Sequence, residues 1–318
     1  MTAGPGTARY GLDDGLRDVL AKEVHERIEC AEPLAPDAHG AILARIGGYV
    51  LERHLPGEVL HGLREFTDSG APALIIENLP RPEVPPTPVG GFCEEPPLAV
   101  INALHLGLVR LLGGVPFAVG YENRGLLMRN VVPNPAAAGT TSSWGADAEF
   151  FWHSDNPHLP FGEPGYDPRP FVPRHLAFYA VRNEERVPTE VVPVGEVLSG
   201  LDLETRRDLA RPEFEIGPPA STGADAPGPL RDAAVLEAGP DGRTRIRYDQ
   251  GTTRGGTARA AAALVRLAET LESTAAERFA LDVGGFLVFD NYRVLHRRRA
   301  FVPDPPATAR WLRRCYAG

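Results

Sequence analysis

Hydrophobic residues in the first third of the chain recur at helical intervals. Positions 16, 19, 20, 24 and 28 are apolar, and this spacing of three and four predicts one buried helix face. The same spacing predicts further helices at Pro36–His54, Glu58–Ser69 and Pro96–Leu112. The short apolar run Ala73–Ile76 predicts a buried strand, and the proline-rich residues 80–97 predict an extended surface connection.

From about residue 115 the pattern changes to short apolar runs separated by turn residues. These runs predict strands at Phe117–Val119, Leu126–Val132, Glu149–His153, His175–Val181, Glu190–Val194, Phe214–Ile216, Ala234–Glu237, Thr244–Tyr248, Phe286–Phe289, Arg293–His296 and Arg310–Cys315. So many short strands are typical of a sandwich, barrel or jelly roll. Helices predicted at Val194–Leu209 and Thr257–Leu271 interrupt them.

Three long segments, 133–147, 156–174 and 217–232, are rich in Gly, Pro, Ser and Thr. Loops of that length in a compact domain are usually functional lids or disordered, and we predict lids at 156–174 and 217–232. Neither a linker nor an internal repeat is evident in the sequence. We therefore predict one domain over 1–318, with a mostly helical flank at 1–114 and a strand-rich core at 115–318.

The composition narrows the function class. Hydrophobic residues make up 43% of the chain and charged residues 24%, as in globular enzymes. The net charge of −9, with no basic tract beyond Arg297–Arg299, argues against a nucleic-acid partner. No apolar run approaches the ~18 residues of a membrane helix, and no signal-peptide pattern is evident. We expect a cytoplasmic protein, with Cys30, Cys93 and Cys315 reduced.

A His-x-Asp pair at the end of an aromatic strand is the first candidate for chemistry. Residues two apart on a strand share a face, so the side chains of His153 and Asp155 should converge after the run Phe150–Trp152. Two histidines and one carboxylate form the facial triad of non-haem Fe(II) oxygenases. The tripeptide alone is common in proteins, so it needs a third ligand.

His296 is the candidate for that third ligand. It ends the predicted strand Tyr292–His296, in a position that suits a ligand contributed from the far side of a jelly roll. The alternative is a core histidine that bonds to the backbone.

The predicted last strand carries several arginines. Alternation places Arg310 and Arg314 on one face and Arg313 on the other. A buried guanidinium needs an anionic partner, and its planar fork grips carboxylates. Two inward arginines therefore predict a site for two carboxylates. The alternative is a solvated basic strand end, which we predict for Arg313.

Taken together, these motifs resemble the Fe(II)/2-oxoglutarate-dependent oxygenases of the clavaminate synthase-like and taurine dioxygenase superfamily. The resemblance is carried by Phe151–Asp155, Gly285–Phe301 and Arg310–Arg314, and it spans roughly 115–316. The last two segments are similar to the branch that hydroxylates free arginine or asparagine. The resemblance implies a mainly β fold, a double-stranded β-helix or jelly roll, with flanking helices.

The resemblance also implies roles for single residues. His153, Asp155 and His296 would bind Fe(II), with open positions for 2-oxoglutarate and O2. Arg310 would pair with the distal carboxylate of 2-oxoglutarate, and Thr189 would contact the same co-substrate. The alternative for Thr189 is an ordinary β-branched strand residue.

Four further residues are candidates for substrate binding. Arg314 matches the arginine that holds a substrate carboxylate in the amino-acid hydroxylases. Asp249 and Glu122 would face an amine or other cationic group, and Ser143 is a further candidate. The alternative for the last three is an ordinary polar residue of a loop or of the surface.

The predicted function is hydroxylation of a free amino acid or an amino-acid-derived small molecule in specialised metabolism, such as antibiotic biosynthesis. The arginine and asparagine hydroxylases usually have Glu where this chain has Asp155, which leaves the substrate open. Halogenating relatives lack this carboxylate, so halogenation is not expected. The alternatives are desaturation, epoxidation or cyclisation with the same cofactors, a zinc hydrolase, or a jelly-roll binding protein. We expect a monomer or homodimer.

Overall fold

The computed structural model describes residues 6–30, 33–162, 171–219, 222 and 225–318. Its helices are α1 (Asp14–Glu29), α2 (Pro36–His54), α3 (Gly57–Ser69), α4 (Ala99–Leu111), α5 (Val194–Gly200), α6 (Leu203–Leu209) and α7 (Ala258–Ser273). Its strands are β1 (Ala8–Gly11), β2 (Ala73–Glu77), β3 (Pro116–Phe117), β4 (Met128–Val131), β5 (Phe150–His153), β6 (His175–Arg182), β7 (Thr189–Pro193), β8 (Phe214–Ile216), β9 (Leu230–Ala233), β10 (Leu236–Ala238), β11 (Thr244–Ile246), β12 (Thr253–Gly255), β13 (Glu277–Phe279), β14 (Phe286–Asp290), β15 (Val294–Arg298) and β16 (Trp311–Ala317).

Local capping sets several helix ends. The Asp13 carboxylate accepts the backbone N–H of Leu16 at 2.8 Å and starts α1. The single helix predicted at Val194–Leu209 is wrong, because the Asp202 carboxylate accepts the N–H of Thr205 at 2.7 Å and starts a new helix, α6. Strands β1, β9, β12 and β13 were not predicted, since each has only three or four residues and little apolar alternation.

Two sheets face each other and enclose the central core. The larger sheet has the order β1-β2-β14-β6-β16-β3, with β4 also paired to β16, and the smaller has the order β13-β7-β15-β5. Inward residues of both sheets, such as Ile75 and Leu312 from the larger and Val191 and Val294 from the smaller, form one buried cluster. The fold is therefore mainly β with helices, as predicted.

Helices cover the outer faces of these sheets. Leu74 and Ile76, which alternate with the inward Ile75, pack with α1–α4 in a second core. Helices α5–α7 and the short strands β8–β11 cover the smaller sheet in a third core. The N-terminal flank is mostly helical, as predicted, although β1 and β2 extend the larger sheet.

Burial of both faces corrects the prediction for Arg313. This residue is 0% exposed rather than solvated. Its guanidinium donates to Glu95 Oε2 at 2.7 Å and to the side-chain oxygens of Asn102 and Asn130, each at 2.8 Å. The prediction was wrong because helix α4 covers this face of β16. Alternation correctly separated the two faces of β16, but it carried no information about what covers each face.

The two predicted lid loops are only partly described. Residues 163–170 of the first lie outside the described residues, as do 220–221 and 223–224 of the second, whose end forms β9. Their role as lids stays a prediction, as does the single-domain organisation. Among the helices that the structure describes, none is long and apolar enough to span a membrane.

Candidate metal site and neighbouring cavities

Two histidines and one aspartate meet between the sheets. His296 lies directly opposite His153 in the antiparallel pair β15–β5, and their ring centroids are 4.1 Å apart. One ligand atom each from His153, Asp155 and His296 can be chosen so that all lie within 4.8 Å of one another. The prediction that His296 comes from the far side of a jelly roll is wrong, since β15 and β5 are neighbouring strands of one sheet.

Asp155 lies just beyond the end of β5. Its Oδ1 atom is 3.3 Å from His153 Nε2 and 3.5 Å from His296 Nε2. The side chain of Asn291 fixes the Asp155 backbone, because it accepts the N–H at 2.8 Å and donates to the carbonyl at 3.1 Å. Asn291 was not predicted, although it lies only three residues before β15, the strand that carries His296.

The protonation states of His153, Asp155 and His296 suit the binding of a metal cation. His153 Nδ1 is 2.7 Å from the carbonyl oxygen of Phe151, so Nδ1 carries the proton and the Nε2 lone pair faces Asp155. Burial opposes protonation of His153, whereas the neighbouring Asp155 carboxylate raises its pKa. Burial and His153 lower the pKa of His296 to about 4. A divalent metal can therefore replace the proton that Asp155 attracts, and these three donors fit Fe(II).

The second oxygen of Asp155 is held by other groups. Asp155 Oδ2 accepts from Arg314 Nη1 at 2.8 Å and from the Tyr316 hydroxyl at 2.8 Å. Burial would raise the pKa of Asp155, but Arg314 and the two histidines hold it well below its usual range. These contacts leave Oδ1 as the oxygen that faces the histidines.

A cavity lined by Glu122, Arg129, Ser143, Asp155, Asn156 and Arg314, among others, opens beside this cluster; we call it the glutamate cavity. Glu122 Oε1 accepts from Arg314 at 2.7 Å and from Arg129 at 2.9 Å. Burial opposes ionisation of Glu122, yet these two arginines lower its pKa. Three of the predicted substrate residues, Glu122, Ser143 and Arg314, thus meet here.

Asp249, the fourth predicted substrate residue, lies close by. It pairs with His153 across a β-bridge, and its Oδ1 accepts the backbone N–H groups of Gly251 at 2.7 Å and Thr252 at 3.0 Å. It is not among the residues that line the glutamate cavity in the described part of the chain.

A second cavity, which we call the arginine cavity, is lined by Val131, Ser143, Phe150, Asp155, Phe178, Thr189, His296, Arg298, Arg310 and Arg314. Arg310 is 3% exposed, and its Nε has no hydrogen-bond partner. Among the described residues no carboxylate forms an ion pair with Arg310; Glu185 accepts only its backbone N–H, at 2.9 Å. Burial, aided by Arg298, lowers the pKa of Arg310 to about 9. An anionic ligand would satisfy this buried charge.

Thr189 begins β7 and reaches the same cavity. The structure therefore brings both predicted co-substrate residues to one cavity, which His296 also lines.

Sequence reasoning missed three further residues that contact the site. Arg298 is two residues after His296 on β15, and Tyr316 is two residues after Arg314 on β16, so alternation could have found both. Arg129 lies opposite Arg314 in the β4–β16 pair. No signal in the single sequence indicated that pairing.

Known proteins are similar to this chain in sequence. Residues 121–316 match the profile of a family described as taurine catabolism dioxygenase TauD, TfdA family. The enduracididine beta-hydroxylase of Streptomyces hygroscopicus is 24% identical over 335 aligned residues, which cover 93% of this chain and 89% of that protein.

Solved structures are similar over nearly the whole chain. An asparagine oxygenase in complex with Fe(II), 2S,3S-3-hydroxyasparagine and succinate has a TM-score of 0.78 and 25% identity, covering 97% of this chain and 92% of that one. The non-heme iron oxygenase OrfP in complex with Fe and alpha-ketoglutaric acid has a TM-score of 0.80 and 23% identity, covering 97% and 93%.

Proposed function

Because the chain belongs to the TauD, TfdA family of dioxygenases, we propose that it hydroxylates a free amino acid or an amino-acid-derived small molecule. Family membership confirms the resemblance seen in the sequence motifs. It also confirms the enzyme class and the cofactors Fe(II), 2-oxoglutarate and O2. We further propose that the two facing sheets are the jelly roll of this family.

One observation carries the assignment of the site: the His153, Asp155 and His296 donors adjoin a cavity that contains the buried, unpaired Arg310. We assign the three donors to Fe(II), which with 2-oxoglutarate activates O2 for attack on an unactivated C–H bond. Arg310 and the hydroxyl of Thr189 bind the distal carboxylate of 2-oxoglutarate. Burial of all these side chains keeps bulk water from the reacting atoms.

The glutamate cavity suits a zwitterion. Glu122 and Arg314 pair with each other at 2.7 Å, and both are largely buried. An amino acid that placed its carboxylate at Arg314 and its ammonium at Glu122 would replace this pair without leaving a buried charge unpaired. Ser143 would add a hydroxyl contact, and Asp249 would bind the distal part of the substrate. The amino-acid hydroxylases among the similar proteins support this substrate class.

The test is formation of succinate from 2-oxoglutarate, measured with Fe(II), O2 and each member of a panel of amino acids. We expect at least one amino acid to stimulate succinate formation and to gain one oxygen atom by mass spectrometry. A cytoplasmic location and a monomeric or homodimeric state remain predictions that this assay leaves open.

The matched variants are H153A and H175Q. His175 is also buried, but it lies on β6 against Thr67, away from the metal cluster. We expect H153A to abolish substrate-dependent turnover and H175Q to retain it. Full turnover by H153A would overturn the assignment of the metal site. Uncoupled succinate formation with every amino acid tested would overturn the assignment of the substrate class.

A further inference from the structure

A short loop, residues 142–148, borders both cavities; we call it the bridging loop. Its residue Ser143 lines both the glutamate cavity and the arginine cavity. The loop contains no helix or strand. Its position is therefore set by individual contacts: the backbone N–H groups of Asn134 and Phe301 donate to the carbonyls of Trp144 and Ala146, and side chains supply further contacts.

Arg298 holds the bridging loop from the side of the arginine cavity. Its Nη1 donates to the carbonyl of Ala146 at 3.2 Å, and its Nη2 donates to the carbonyls of Ser142 and Ala148, each at 3.4 Å. Nη2 also donates to the carbonyl of Gly145. Four carbonyls of one loop thus converge on one guanidinium.

Arg129 holds the same loop from the side of the glutamate cavity. Its Nε donates to Ser143 Oγ at 3.1 Å, and its guanidinium lies 4.7 Å from the ring centroid of Trp144. Because Arg129 also pairs with Glu122, the loop is tied to the proposed substrate residues. The bridging loop therefore contacts two arginines, Arg298 at the arginine cavity and Arg129 at the glutamate cavity.

The charge of Arg298 is not neutralised by contact. The side chain is 5% exposed, and its partners in the described chain are carbonyl oxygens, with no carboxylate among them. Asp147 acts on it only at longer range, while burial lowers its pKa to about 10. Arg298 and Arg310 thus place two buried cations at the arginine cavity, which favours a dianion over a monoanion.

We propose that Arg298 is a positioning residue that couples occupancy of the arginine cavity by 2-oxoglutarate to the order of the bridging loop, and so prepares the glutamate cavity for substrate. The inference rests on the proposed function, since it takes 2-oxoglutarate as the occupant. A dianion in the arginine cavity draws the Arg298 guanidinium and its attached carbonyls into one fixed arrangement. By linkage, a fixed loop must strengthen the binding of 2-oxoglutarate by the same factor.

The test measures 2-oxoglutarate affinity and amide hydrogen exchange of residues 142–148 in anaerobic Fe(II)-loaded protein. In the wild type we expect 2-oxoglutarate to slow exchange in the bridging loop. We expect R298Q to bind 2-oxoglutarate about tenfold more weakly or worse and to lose most of this added protection. The matched control is R299Q, because Arg299 is half-exposed and pairs with Glu190 instead; it should behave as the wild type.

A second variant perturbs the loop without touching the arginine. A Cβ atom at Gly145 would lie 2.0 Å from the carbonyl oxygen of Thr140, so G145A must displace the loop. Reciprocal coupling predicts that G145A also weakens 2-oxoglutarate binding, by several-fold. The inference is overturned if R298Q and G145A both bind 2-oxoglutarate within twofold of the wild type, or if R298Q keeps the ligand-dependent protection. If the wild type itself does not bind 2-oxoglutarate, the proposed function fails instead.

Discussion

Two buried arginines near the C-terminus should affect stability in opposite directions when each is replaced by methionine. Arg313 has three polar partners, Glu95, Asn102 and Asn130, whereas Arg310 has no carboxylate partner among the described residues. In the ligand-free protein, R310M removes an unsatisfied buried charge, while R313M leaves its partners unpaired. We therefore expect R310M to stabilise the ligand-free protein and R313M to destabilise it.

The expected changes in the free energy of unfolding follow from the burial of the two arginines. The pKa of Arg310 is about 9 against an ordinary 12.5, which at about 1.4 kcal/mol for each tenfold change in proton affinity gives an upper bound of roughly 5 kcal/mol. Relief of part of this cost should add about 2–4 kcal/mol to the free energy of unfolding in R310M. R313M should lose about 3–5 kcal/mol. At about 2 °C per kcal/mol, the melting temperatures should differ from the wild type by roughly +4 to +8 °C and −6 to −10 °C.

The assay is thermal unfolding of metal-free wild type, R310M and R313M, repeated with Fe(II) and 2-oxoglutarate under anaerobic conditions. Fe(II) alone should raise the melting temperatures of both the wild type and R310M, whereas 2-oxoglutarate should add a further rise in the wild type and almost none in R310M. If R310M melts as far below the wild type as R313M does, Arg310 has a stabilising partner in the ligand-free protein. The assignment of Arg310 to an external carboxylate would then be wrong.

Three further predictions address the metal, the co-substrate and pH. Y316F removes one of two donors to Asp155 Oδ2 and should weaken Fe(II) binding about tenfold in calorimetry. The control is Y121F, because the Tyr121 hydroxyl contacts Asn156 instead. Equal Fe(II) affinities of the two variants would contradict a role for Tyr316 in orienting Asp155. T189A should raise the Kd for 2-oxoglutarate by about three- to tenfold, and an unchanged Kd would remove Thr189 from the site. Burial lowers the pKa of His105 to about 3 from 6.5, so between these pH values the unfolded chain binds more protons than the folded chain. The free energy of unfolding should therefore fall as the pH drops below 6.5, by up to about 1.4 kcal/mol per pH unit. H105L should flatten this slope in urea unfolding between about pH 7.5 and pH 5, and an unchanged slope would refute the assignment to His105.

Alternation along strands predicted much of the candidate site. It placed Arg310 and Arg314 on the face opposite Arg313, and the structure brings the first two to the cavities. The pairing of His296 with His153 was not predictable, because the register between β15 and β5 depends on contacts between distant segments. The solvated environment expected for Arg313 was wrong for a similar reason, since strand alternation does not reveal a covering helix.

Helix boundaries were predicted best at Pro36–His54, where the apolar spacing starts at a proline and the helix has no side-chain cap. They were predicted worst where a single polar residue sets the start of a helix, as at Asp202, which divides the helix predicted at Val194–Leu209 into two. Arg298 and Tyr316 each lie two residues beyond a predicted site residue. The two-residue alternation along β-strands that indicated the site residues would therefore have indicated Arg298 and Tyr316 as well.

The measurement that most directly tests the assignment of this site is anaerobic titration of the Fe(II)-loaded protein with 2-oxoglutarate, followed by visible absorption. We predict a charge-transfer band of an Fe(II)–2-oxo acid chelate that saturates in the wild type and is perturbed by the amino-acid substrate. H296A should not develop the band, and R310M should need far more 2-oxoglutarate. A wild-type protein that binds Fe(II) but shows no band at saturating 2-oxoglutarate would contradict the assignment of these residues.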